Sequence, residues 1–440
     1  MAPRIGIINI GHPDYPNEIG QQFAQQAAEK LRSRGVIAII DDQACTDPIA
    51  AARRGQQMLE ERLDGVIVWL GTWIEASTAI AAIREFEHLP FAIWGFSMFE
   101  QEGRRESTGS FVAASVLKGA LERMEYPFKV ILGFPEEEEP LCSSVAFAHA
   151  AHAYQQLKRT RLGLVGYASM SMYPGTFDHV LMRRVIGPEV VHFDTFSLVQ
   201  LAEGIGRGEL DALAADLGNG AQVEVGPERL AKSARLYGAL MKLADRHALN
   251  ALNVKCQYEL SQEYGMTPCV PLSKLADQGI VTACEGDVML SATMCMLAHL
   301  CGETVTYGDI LELEGDTMLL SPCGFAPPSL HHEGEPVAIR ELGHPGFDGI
   351  ICSFTLERGP VTFARLVEGR GDYRLVYGTG TGVDTQLRQG RFPALNVRLD
   401  GSPERLLETI ASQHYALAYG DLSEGIEDLC NILEIEALRV

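Results

Sequence analysis

Short runs of apolar residues alternate with amphipathic stretches along the N-terminal part of the chain. RIGIINI precedes EIGQQFAQQAAEKLRSRG, VIAII precedes another helical stretch, DGVIVWLG precedes IEASTAIAAIREFEH, and PFAIWGF precedes SFVAASVLKGALERM. Runs apolar throughout suit strands buried on both faces, and the stretches between them suit helices covering a parallel sheet. The pattern predicts a doubly wound α/β domain over 1–158. Its ligand-facing edge falls at the C-terminal strand ends, in GHPDYP, LGTW and WGFSM, which places His12 and Trp94 on strand-end loops. EEEE at 136 to 139 reads as a solvated loop.

A second alternating series starts near residue 160 with RLGLVGY and runs through VVHFD, the long helix RLAKSARLYGALMKLADRH, ALNVK, GIVTACEGD and VMLSATMCMLAHLCG. It predicts another α/β domain over 159–302. From 303 the texture changes to strand-like pieces with turn residues, such as GPVTFARLVEG and YRLVYGTGTG, and a β-rich third domain is expected over 303–440. The fold class is therefore two doubly wound α/β domains followed by a β-rich, C-terminal one.

Length agrees with several units, because 440 residues exceed one ordinary core. Charge narrows the partners: 36 Lys and Arg stand against 58 Asp and Glu, a formal −22, which opposes attraction to phosphate backbones or anionic lipid. No nucleic acid and no membrane partner is expected, and no run of about twenty apolar residues offers a bilayer span. MAPRIGIINIGHPDYP lacks the features of an export leader. The ten cysteines form no CxxC pair, so they are expected to be buried thiols of a cytoplasmic protein.

Two attractive motifs lose force. YGTGTG at 377 to 382 is not followed by a clear helix that could hold an anion, and it reads as a glycine turn between strands. His331 and His332 are adjacent, so an extended chain points them apart. There is no GxSxG or HExxH.

TACEGDVML at 282 to 290 is more informative, since it sets Glu285 and Asp287 at a strand-to-helix junction. Asp287 can satisfy the helix N-terminus. Glu285 is then a surplus acid. The helix that follows runs roughly 25 Å at about 1.5 Å per residue, and ETVTYGD can return roughly 23 Å when extended, so Asp309 can lie beside Glu285. His414, in the apolar run QHYALAYGD, is a core histidine or a ligand, and spacing alone favours the core. Two carboxylates and an imidazole would make a hard, open site suited to manganese or magnesium.

KCQYELSQEYGMTPCVPLSKLADQGIVTACEGDVMLSATMCML, YGDI, CGFAPPSL, GPVTFARL and QHYALAYGD, in that order, resemble the L-fucose isomerase and L-arabinose isomerase superfamily. The resemblance covers roughly 160 to 440. It implies two α/β domains and a β-barrel-containing domain, a Mn²⁺ ion on Glu285, Asp309 and His414, and aldose–ketose isomerisation of a sugar through a cis-enediol, with Glu285 and Asp309 also serving as base and acid. It also implies a homo-oligomer, trimer or hexamer, in which His12 and Trp94 reach a neighbouring subunit's site. One departure stands out: LLSPCG carries Pro322 where relatives often have a histidine, which leaves the sugar open.

Lys255 suits a sugar hydroxyl, an anionic substituent or a plain ion pair, and Gln257 is similar. Met172 and Tyr173 suit either the mouth of a sugar site or an ordinary loop. A two-lobed sugar-binding protein would lack the β-rich domain. A metal-dependent lyase or epimerase and a catalytically silent paralogue fit the same ligands.

Overall fold

In the computed structural model, which describes residues 2–369 and 371–440, the N-terminal apolar runs become strands Arg4–Ile10, Ile37–Ile40, Gly65–Leu70, Phe91–Gly95 and Lys129–Leu132. All pair in parallel, in the spatial order second, first, third, fourth, fifth. Alternation along the third strand explains why the runs are apolar throughout. Val66, Val68 and Leu70 face one core and Ile67 and Trp69 the other, as a sheet covered on both faces requires.

Trp94 is not on a loop. It lies inside Phe91–Gly95, fully buried, donating its indole N–H to the Gly133 carbonyl at 2.9 Å and setting its ring 5.2 Å from that of Trp69. A side chain of that size on the inner face of a strand is core material. His12 does fall beyond the first strand, in a turn where its backbone N–H donates to Thr72 Oγ1. The acidic run is also only partly a loop: Glu138 and Glu139 begin helix Glu138–Arg159, where carboxylates complement the helix dipole.

The described chain clusters into two units, Met1–Gln155 with Glu424–Glu434, and Gln156–Ser423 with Ile435–Val440. The expected division at 303 falls inside the second unit, between helix Val288–Cys301 and strand Thr306–Glu314. That unit contains another parallel sheet, of Arg161–Val165, Glu189–Phe193, Ala251–Val254 and Val281–Cys284, again ordered second, first, third, fourth.

It also contains a closed six-stranded barrel. Gly359–Gly369, His414–Tyr419, Thr306–Glu314, Thr317–Ser321, Leu395–Leu399 and Asp372–Val383 follow one another around the ring, and the last pairs with the first. Closure removes the exposed edges that a six-stranded open sheet would carry. YGTGTG lies within strand Asp372–Val383 and is no turn. Its glycines permit close approach of neighbouring strands, for a Cβ on Gly380 would sit 2.5 Å from the carbonyl oxygen of Arg398 on the adjacent strand.

Candidate active site

The fourth strand of the second sheet ends at Cys284, and the chain then turns sharply into helix Val288–Cys301. Glu285 and Gly286 make that turn with φ of 70° and 69°. A non-glycine residue in this left-handed region costs roughly 1–3 kcal/mol and persists where surrounding structure imposes it. Here the Glu285 N–H donates to Val254 O at 3.0 Å, and its carbonyl accepts from Ser169 N at 2.9 Å. Gly286 has no substitute, since a Cβ there would lie 2.1 Å from the Tyr167 carbonyl oxygen.

Asp287 caps the helix as expected, its Oδ1 accepting from Leu290 N at 2.9 Å. It also does more. The buried Arg365 guanidinium, from barrel strand Gly359–Gly369, grips both its oxygens at 2.8 and 3.0 Å, and His414 Nδ1 lies 2.9 Å from Oδ2. Burial pushes the Asp287 carboxyl upward, but Arg365 and His414 outweigh it and hold the group well below the usual carboxylate range. Arg365 escaped the sequence reading because its partner lies 78 positions away.

The barrel supplies the other two candidates as neighbours. Asp309 and His414 stand directly opposite each other on antiparallel strands, a pairing that brings side chains close. Just after Asp309 the register shifts between Ile310 and Glu312. Such bulges re-aim nearby side chains, and Leu311 lines the cavity beside the site.

Nε2 of His414 is buried with no hydrogen-bond partner among the described residues. It faces carboxylate oxygens of Asp309 at 3.4 Å and Glu285 at 3.6 Å. The Asp287 bond to Nδ1 favours the tautomer with its lone pair on Nε2, the arrangement by which a carboxylate orients a metal-binding imidazole. An orphaned nitrogen between two carboxylates is a donor set that fits a hard divalent cation. Burial lowers the His414 pKa, but Asp287, Glu285 and Asp309 together raise it overall. Asp309 is raised as well: burial and Glu285 push it up against the pull of His414.

Glu285 and Asp309 line a cavity of about 350 Å³ together with Gln257, Cys323, Arg388 and Phe392. Gln257 Oε1 is buried there without a hydrogen-bond partner among the described residues. Lys255 instead lines a separate cavity and pairs with Glu259 at 2.9 Å. Tyr173 is 79% exposed and lines a groove with Arg365. Met172 accepts a contact from Gln413 Nε2 at 2.8 Å, and it is Met170 that reaches the cavity. His12 and Trp94 belong to the first unit.

The cysteines, expected to be buried thiols and carrying no CxxC pair, converge in part. Ligand atoms of Cys256, Cys284 and Glu285 lie within 4.8 Å of one another, and the Cys323 thiol donates to Glu285 Oε1 at 3.2 Å. Its bond to Cys284, burial and the Glu285 charge raise Cys323 well above the usual thiol range. It therefore stays protonated, as a donor to Glu285 must.

No family model matches the chain. It is similar to the sulfoquinovose isomerases of Priestia aryabhattai and Priestia megaterium, each 23% identical over 98% of this chain and 97% of theirs. The sulfoquinovose isomerase of Alkalicoccus urumqiensis is 21% identical over 86% of both chains, and that of Clostridium sp. is 26% identical over 75% of both. A solved solute-binding protein from Agrobacterium vitis, bound with alpha-D-tagatopyranose, covers 69% of this chain at 11% identity and a TM-score of 0.19, a likeness that carries no argument. Over nearly its whole length, then, the chain resembles proteins named as isomerases of one sugar.

Proposed function

We propose that this protein is an aldose–ketose isomerase with its active site at Glu285, Asp309 and His414, and that sulfoquinovose, a glucose carrying a sulfonate on C6, is the first substrate to test. It is an enzyme of sugar isomerisation, a reading supported by the curated relatives. The observation that carries the site assignment is His414 Nε2, buried and unpartnered between two carboxylates.

The reaction moves one proton from C2 to C1 and another from O2 to O1, through a cis-enediol. One carboxylate of the pair takes the carbon proton and returns it, and the other moves the hydroxyl proton, each contribution typically worth about 10²- to 10⁴-fold. A manganese or magnesium ion held by Glu285, Asp309 and His414 would supply positive charge to the oxyanion that develops on the sugar. Asp287, locked by Arg365, holds the imidazole in place. Cys323 keeps one Glu285 oxygen oriented.

The test is proton NMR in D₂O of the protein with manganese, then after chelation, against sulfoquinovose, glucose and L-fucose. Ketose formation with deuterium at C1 or C2, lost on chelation and restored by metal, is the expected result. Eliminated or C2-epimeric products in place of ketose would replace the isomerase reading with a lyase or epimerase one. No turnover of any sugar with metal bound would overturn it.

A further inference from the structure

The site cavity is acidic at one end, with Glu285 and Asp309, in a protein of net charge −22. A metal held by Glu285 and Asp309 would offset those two charges and engage the reacting oxygens, so an anionic group elsewhere on the sugar needs a cation of its own. Arg388 is the one Arg or Lys among the described residues lining that cavity.

Its surroundings hold it rigidly without neutralising it. Nε–H donates to Ser321 Oγ at 2.9 Å, and Ser321 is itself fixed by donating to Pro393 O at 2.6 Å. A second N–H lies 3.4 Å from the carbonyl oxygen of Pro322, and the guanidinium carbon sits 4.2 Å from the centre of the Phe392 ring, which lines the same cavity. Ser321, Pro322 and the ring satisfy one edge and one face. Among the described residues no carboxylate is in ion-pair contact with Arg388, on which Asp309 acts only through space, unlike Arg229, Arg340, Arg358 and Arg365, each of which has an acidic partner in contact. A half-buried guanidinium, oriented by neutral groups and with donors to spare, is built to receive a planar or tetrahedral oxyanion.

We infer that Arg388 is the specificity-determining residue of the site, the group that receives a sulfonate, phosphate or carboxylate carried by the sugar away from its reacting carbons. Together with Ser321, which positions it, it makes this cavity select anionic over neutral sugars. The inference rests on the isomerase reading of the same cavity.

Two readouts keep the two ideas apart. Binding is measured by calorimetry, on the metal-loaded protein, for the alditols of sulfoquinovose, glucose 6-phosphate, glucuronic acid and glucose, none of which can be isomerised. Turnover is measured separately for sulfoquinovose and glucose. The wild type is expected to bind one anionic alditol above glucitol, the best of the series naming the anion. Arg388→Met should weaken that alditol about 10- to 100-fold, the range for a charged hydrogen-bonded contact, while glucitol affinity and the thermal melt stay near wild type. Arg388→Lys should recover part of the loss. In turnover, Arg388→Met should raise KM for sulfoquinovose by a larger factor than for glucose. Equal weakening of charged and neutral ligands, or no anion preference in the wild type, would overturn the role of Arg388. Anion-selective binding without turnover of any sugar would instead sink the isomerase reading and leave Arg388 as an anion receptor.

Discussion

At the end of its fourth strand the first unit's sheet carries Gly95 and Phe96, whereas the second unit's sheet carries Glu285, Gly286 and Asp287. The two sheets share the order second, first, third, fourth, so these are equivalent positions in one winding. Phe96 is 1% exposed, with its ring 5.0 Å from Phe23 and 5.6 Å from Trp69. In the second unit the same place holds two acids, because the barrel brings Arg365 and His414 to receive them. A parallel sheet offers its C-terminal edge for ligands, but whether the edge becomes core or chemistry depends on what another element delivers to it.

The contrast breaks most visibly at Glu285. Glu285→Gln should lower kcat by about 10²- to 10⁴-fold, beyond any fall explained by metal content measured on the same sample. A variant with metal intact and kcat near wild type would move the chemistry elsewhere. Asp287→Asn keeps a capping side chain but leaves buried Arg365 without its counter-charge. It should cost about 3–5 kcal/mol in denaturant unfolding and weaken metal about 10- to 100-fold. The first unit should respond differently. Phe96→Ala is expected to lose about 3–5 kcal/mol of stability while kcat at saturating sugar, below the melting transition, holds. A matching fall in kcat would end the division between a core edge and a catalytic one.

Gly286→Ala tests the turn itself. The positive φ alone costs about 1–3 kcal/mol, and the clash with Tyr167 adds to it, so the melt should fall and Glu285 should lose its position. Smallest is a pH effect in the first unit. Burial raises the Asp428 carboxyl to about 6, against the pull of Lys129, while the unfolded value is about 3.9. The folded state then keeps its proton to higher pH. This group's stability is full below about pH 4 and is lost as pH rises through about 6. The Lys129 ammonium 2.6 Å away argues for a smaller shift than burial alone gives. Asp428→Asn should flatten the melting temperature between pH 4 and 7, and an unchanged slope would show that Lys129 keeps the carboxylate charged throughout.

The parallel sheets were legible because a strand buried on both faces must be apolar at every position, as in RIGIINI and GVIVWL. Glu285 stood out as an acid surplus to the helix cap, and the reach of the chain put Asp309 beside it. The barrel's closure was less legible, since YGTGTG gives the signals of a turn while its glycines serve contact between strands. Arg365, Arg388 and the thiols around Glu285 were hidden for one reason. Each takes its meaning at the site from a partner far along the chain, as Arg365 does from Asp287, Arg388 from Ser321 and Cys323 from Glu285. Trp94 was misplaced by a boundary: the strand runs through it before the loop begins.

The register Asp309↔His414 has a bearing on how the protein is made. The proposed metal ligands lie at 285, 309 and 414, and the last two meet only when a late strand docks on an early one. During synthesis, chain growth must pass His414 before the three can be assembled, so an ion cannot serve as the template on which the first half folds. If the proposed metal site holds, cation choice would fall to the finished barrel, whose fixed spacing, and not the ion most abundant near the ribosome, would set what is retained.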